Sequence, residues 1–197
     1  KGVSLVYKSS ELAEALQTPE RANAFKSSFD YYVNEFSTNH VFDTYVFCLS
    51  EHNKADFDGR LSMWRGYGSN GNGVALVFDT ATLTKVEGSP LIVSKVKYAN
   101  IQDRLDWLNN LISLVASSIR STSIPDEKLH IVAFQLFERI KMFALFTKHH
   151  GFKEEEEWRI AYMKDRDSEG KLKLMFDYSI GPRGIEPKLK FKVSRCF

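Results

Sequence analysis

Leu61-Ser62-Met63-Trp64-Arg65-Gly66-Tyr67-Gly68-Ser69-Asn70-Gly71-Asn72-Gly73-Val74-Ala75-Leu76-Val77-Phe78-Asp79 joins an aromatic-basic cluster, a glycine-asparagine turn and a short apolar run. The run Val74 to Phe78 predicts a strand directly behind the turn, so the chain carries a sheet. Trp64, Arg65 and Tyr67 fall within one turn of helix or loop and offer a stacking face, a fixed positive charge and a hydroxyl. That set suits an aromatic ring bearing an anionic group. Gly68, Gly71 and Gly73 permit close backbone approach, but their spacing fits neither G-x-G-x-x-G nor the phosphate-binding G-x-x-x-x-G-K-[ST] pattern. The plainer reading makes Trp64 and Tyr67 core residues and the glycines a strand-entry turn.

On the N-terminal side, Thr44 to Ser50 is rich in β-branched and aromatic residues and reads as a strand, followed by a polar loop from His52 to Gly59. Before it, Pro19 opens a helix on which Phe25, Phe29, Tyr32, Val33 and Phe36 recur at three- and four-residue spacing. Ser10 is the predicted N-cap of a shorter helix over Glu11 to Leu16, and Val3 to Tyr7 is a strand or the remnant of a longer element.

On the C-terminal side, Thr80 to Leu83 predicts one helical turn and Leu91 to Tyr98 one half-buried strand. Two long helices follow, over Asn100–Arg120 and from Pro125 onward. The short connection between them predicts an antiparallel pair, and the second helix is expected to run to a stop at Gly151. Trp158 to Met163, Lys171 to Tyr178 and Pro187 to Val193 are the remaining strands. Strands in clusters with helices inserted between them define an α+β fold with a largely antiparallel or mixed sheet and a long antiparallel helix pair.

At 197 residues, the chain fits a single domain on a prior of roughly 100–200 residues per domain. Lys1 at the start and Phe197 at the end fit a chain lacking native terminal segments. The balance of 27 basic and 25 acidic residues disfavours phosphate-backbone or anionic-membrane coating as the main task. There is no apolar run of about 18 residues to span a membrane. Cys48 and Cys196 lack a C-x-x-C partner, which fits a reducing, cytoplasmic compartment, and Cys48 reads as an inert buried thiol. His149 and His150 point about 100° apart on a helix, and His40, His52 and His130 lack zinc-type spacing, so no metal site is expected.

The second constellation runs from Lys148 to Arg159. Four consecutive glutamates, Glu154 to Glu157, precede an apolar strand and cannot all be buried unpaired. On a strand, Glu155 and Glu157 would share one face. If that face opens into a cleft they form a paired-carboxylate site; otherwise the run is a solvated flank.

Phe47-Cys48-Leu49-Ser50-Glu51, then Met63-Trp64-Arg65-Gly66-Tyr67-Gly68 with Gly73 to Asp79, then Lys148, Phe152, Glu155 and Glu157-Trp158-Arg159 occur in an order that resembles bacterial proteins grouped as domain of unknown function 2971. That family looks distantly similar to ADP-ribosyltransferases, in which an Arg or His on an early strand, a Ser or Tyr on a middle strand and a Glu on a late strand surround NAD. The resemblance implies Ser50 or Tyr67 at the middle position and Glu157 as the catalytic carboxylate, with Glu155 two residues before it. Tyr67 or Trp64 would stack on nicotinamide, Arg65 or Lys148 would meet the pyrophosphate, and Ser50 and Arg159 would also bind substrate. NAD enters as a substrate, and no resident cofactor is firmly implied. Two other expectations compete: a non-catalytic nucleotide- or partner-sensing module in a defence or stress system, and an internal ion-pair network of Arg65, Glu155, Glu157 and Arg159.

Overall fold

The computed structural model describes residues 2–53, 55–80, 87–182 and 184–190. The chain packs as two compact units, one built from residues 1–39 and 96–154, the other from 40–95 and 155–197.

The first unit is helical. Gly2–Lys8 forms α1, where a strand or remnant is expected from sequence. The apolar spacing within seven residues is ambiguous, and packing against the later helix α5 (Ile101–Ser121) decides it, burying Val6. Helix α2 (Ser10–Leu16) is capped by Ser9, one residue earlier than Ser10, through a 3.2 Å bond from Leu12 N–H to its Oγ. Helix α3 (Pro19–Glu35) starts as its sequence predicts, with Thr18 accepting from Arg21 N–H and Pro19 in the first turn. Phe25 and Phe29 are its buried face.

Helix α5 begins with a reciprocal capping box, Asp103 N–H to Asn100 Oδ1 and Asn100 N–H to Asp103 Oδ2, both 2.9 Å. Helix α6 (Leu129–Leu145) follows after a 3₁₀ turn, and Trp107 of α5 stacks on Phe143 of α6 at 3.7 Å. The main partner of α6 is α3, and that of α5 is α2. Phe29 stands edge-on to Phe137 at the centre of this core.

Helix α6 stops at Leu145 rather than Gly151. Thr147–His149 is extended and pairs in parallel with Lys97–Ala99. The expected strand over Leu91 to Tyr98 is therefore two strands, broken at Val96, whose side chain turns inward and is buried. These strands are β2 (Leu91–Lys95) and β3 (Lys97–Ala99), and Thr147–His149 is β4.

The second unit holds a three-stranded antiparallel sheet in the order β1 (Thr44–Ser50), β5 (Glu157–Met163), β2. Strand β1 has the limits its composition predicts. Ala161, Tyr162 and Met163 are buried on central β5. Strands β6 (Phe176–Gly181) and β7 (Gly184–Leu189) form a hairpin, so the expected strands over Lys171–Tyr178 and Pro187–Val193 are both displaced. A 3₁₀ turn at Lys173–Met175 delays the first, and residues 191–193 lie outside the described residues. Leu61–Tyr67 is helix α4. Residues 73–80 belong to no helix or strand, contrary to the expected strand there, and the helical turn expected over Thr80 to Leu83 falls largely outside the described residues.

Candidate functional site

Glu157 is the first residue of β5 and stands directly opposite Ser50 of β1. Two residues on, Arg159 stands opposite Cys48 and Ser94, so the period of two places Ser50, Cys48, Ser94, Glu157 and Arg159 on one sheet face. Arg159 grips Glu157 as a fork, Nε to Oε1 at 2.7 Å and Nη2 to Oε2 at 3.3 Å. Glu157 is only 4% exposed, and this charge-assisted pairing offsets the cost of burying it. The hydrogen bonds to Glu157 hold the Arg159 guanidinium above its usual pKa.

Cys48 corrects its sequence reading. The residue is exposed, but burial of its sulfur, reinforced by Glu157, pushes the thiol up to about 11. It is inert because it stays protonated at neutral pH. The alternation that marks Ser50 also puts Cys48 on the Ser50 face, a signal present in the sequence.

Glu155 does not share a strand face with Glu157. It ends a 3₁₀ turn over His150–Glu155, and Glu156 has φ +41°, so the period-two pattern starts only at Glu157. The three residues diverge. Glu155 lends its backbone oxygen to Ser50 Oγ at 2.6 Å and its carboxylate to the Tyr67 hydroxyl at a long 3.5 Å. Glu156 pairs with Arg60 and accepts Glu51 N–H at 3.1 Å. On the opposite sheet face, Glu51 pairs with Lys95 and accepts Trp158 Nε1 at 3.4 Å. Arg60 and Lys95 escaped the sequence reading as site residues, since nothing local marks a charge on a polar loop or strand end as the partner of a residue 96 or 44 positions away.

Of the aromatic-basic cluster, α4 brings Tyr67 to Glu155, with Tyr67 itself 66% exposed. Trp64 turns elsewhere: its Nε1 donates to Asp58 O at 2.7 Å. Arg65 is exposed. Of the four residues in the expected ion-pair network, Glu157 and Arg159 form a largely buried pair. Lys148 belongs to the first unit, on β4, where its ammonium lies 4.8 Å from the Phe152 ring centroid.

The glycines serve the backbone. Gly71 and Gly73 N–H both donate to Gly68 O at 2.9 Å, and a Cβ on Gly73 would lie 2.6 Å from Gly68 Cα. The loop folds onto itself through these bonds. Among the described residues there is no group of three His, Cys, Asp or Glu that could hold a metal ion. No helix among them is long and apolar enough to cross a membrane.

The architecture is α+β, with a polar cluster at one end of an antiparallel sheet. Residues 63–160 match a family described as protein of unknown function (DUF2971), and the chain belongs to that family. Neither a curated protein nor a solved structure matches the chain.

Proposed function

We propose that the chain is an ADP-ribosyltransferase-like enzyme that acts on NAD, with Glu157 as the catalytic carboxylate. The observation that carries this reading is the cross-strand pair of Ser50 and Glu157 on adjacent antiparallel strands, with Arg159 fixing the acid. In the reaction, the bond from ribose C1′ to nicotinamide breaks and nicotinamide leaves as the neutral base. An acceptor nucleophile then bonds to C1′ and gives up its proton. Glu157 stabilises the positive charge that develops at C1′ and orients the acceptor, while Ser50 positions the nicotinamide riboside. Tyr67 supplies a stacking face and Arg65 a positive charge for the pyrophosphate. Residues 2–8 form a helix, so the early basic residue of that enzyme class has no strand counterpart among them. A free thiol at Cys48 fits a reducing, cytoplasmic compartment.

Nicotinamide release from NAD tests the reading. Glu157→Gln, which keeps an acceptor for Arg159, is expected to lower turnover at least about a hundredfold with an unchanged far-UV circular dichroism spectrum. Equal turnover by this variant and the wild type overturns it. The burial of Glu157 against Arg159 favours a second reading, a nucleotide-sensing module in a defence or stress system. NAD that raises the melting temperature but is never consumed by the wild-type protein selects that one.

A further inference from the structure

Among the described residues β1 is an outer strand of its sheet, and its sequence Thr44-Tyr45-Val46-Phe47-Cys48-Leu49-Ser50 carries no charge and no proline. Such an edge presents a row of backbone donors and acceptors and invites pairing unless something covers it. In the same unit, Val74, Leu76 and Val77 are 85%, 78% and 72% exposed, although the run Val74-Ala75-Leu76-Val77-Phe78 has the composition of a buried strand. The two meet at one point: the Phe78 ring stands edge-on to the Phe47 ring of β1 at 6.2 Å.

We propose that Val74–Phe78, which belongs to no strand in the structure, adds to the outer side of β1 as an antiparallel strand, with Phe78 opposite Phe47 and Leu76 opposite Leu49.

The direction follows from where the segment starts. Gly73 is bonded to Gly68, next to Tyr67, and Tyr67 reaches Glu155, whose backbone oxygen holds Ser50. The segment leaves from the Ser50–Glu51 end of β1 and arrives at Phe47, running against β1. The lengths agree: five extended residues from Gly73 to Phe78 span about 17 Å, and four from Glu51 to Phe47 about 13 Å. The register then sorts the side chains. Val74, Leu76 and Phe78 join Phe47, Leu49 and Trp158 on one face, while Ala75 and Val77 come beside Ser50 and Cys48 on the Glu157 face. The added strand buries the exposed apolar side chains and walls the Glu157 face on its outer side, whatever that face binds.

Double-cysteine variants in a Cys48→Ser, Cys196→Ser background test the register. Leu49→Cys with Leu76→Cys reports the antiparallel pairing; Val46→Cys with Val77→Cys reports the parallel one. The first pair is expected to form an intramolecular disulfide with diamide at least about tenfold faster than the second. A faster Val46–Val77 link, or no link in either, overturns the proposal. Hydrogen exchange on the wild-type protein provides the second measurement, and alternate amides across Val74–Phe78 are expected to exchange at least about tenfold more slowly than unpaired ones. Free exchange along the whole segment overturns it as well, including if the variants fail to fold.

Discussion

Cys48, Glu157 and Arg159 show how one residue's chemistry is set by its neighbours. Alone on a strand, Cys48 is an ordinary thiol; beside a buried carboxylate it resists ionisation, because burial and the Glu157 charge both disfavour the thiolate. At pH 8, alkylation of Cys48 by iodoacetamide should be about a hundredfold slower than that of an unperturbed cysteine. The rate should climb as pH rises toward about 11, since the raised pKa moves the thiolate population upward. Glu157→Gln removes one cause of the shift and should accelerate the reaction, which peptide-resolved mass spectrometry reads directly. Alkylation at the speed of an unperturbed thiol would refute this account.

Helix α4 and the turn behind it form the element on which the family motif is built. Its two close glycine approaches are backbone to backbone, so no flexible side chain can yield. Gly73→Ala is expected to cost about 1–3 kcal/mol, the usual range for overpacking, measured by urea unfolding followed by circular dichroism and tryptophan fluorescence. Gly66 offers a control within the same motif. A Cβ there meets nothing within 4 Å, and alanine favours helix, so Gly66→Ala should be neutral or stabilising by about 0.5–1 kcal/mol. Equal losses at both positions would show that the loop packing is not the cause.

Across the whole molecule, the chain passes between its two units three times, and the large apolar cluster belongs to the helical one. Phe29 is fully buried there, stacked against Phe25 at 6.5 Å and edge-on to Phe137 at 6.4 Å. Phe29→Ala should cost about 3–5 kcal/mol, followed as the loss of helical circular dichroism in urea. The sheet unit instead leaves apolar side chains open, including Tyr178, Ile180 and Ile185 on one face of the β6–β7 hairpin. A two-stranded hairpin gains little from its own pairing, so the stability of the helical unit is the quantity this substitution isolates.

The α+β class, the limits of β1 and the start of α3 at Pro19 were legible from composition, caps and periodicities that act within a few residues, and the family from ordered motifs along the chain. The sequence also made the Glu157–Arg159 pair readable, since residues two apart on a strand share a face. Three features needed the folded chain: Leu91–Tyr98 divides at Val96, Thr147–His149 leaves the helix to pair with Lys97–Ala99, and Glu156 turns Glu155 out of register. Each of these outcomes is settled by pairing or packing with distant parts of the chain. Ser50 meets Glu157 across more than a hundred intervening residues, and no local periodicity encodes which strands become neighbours.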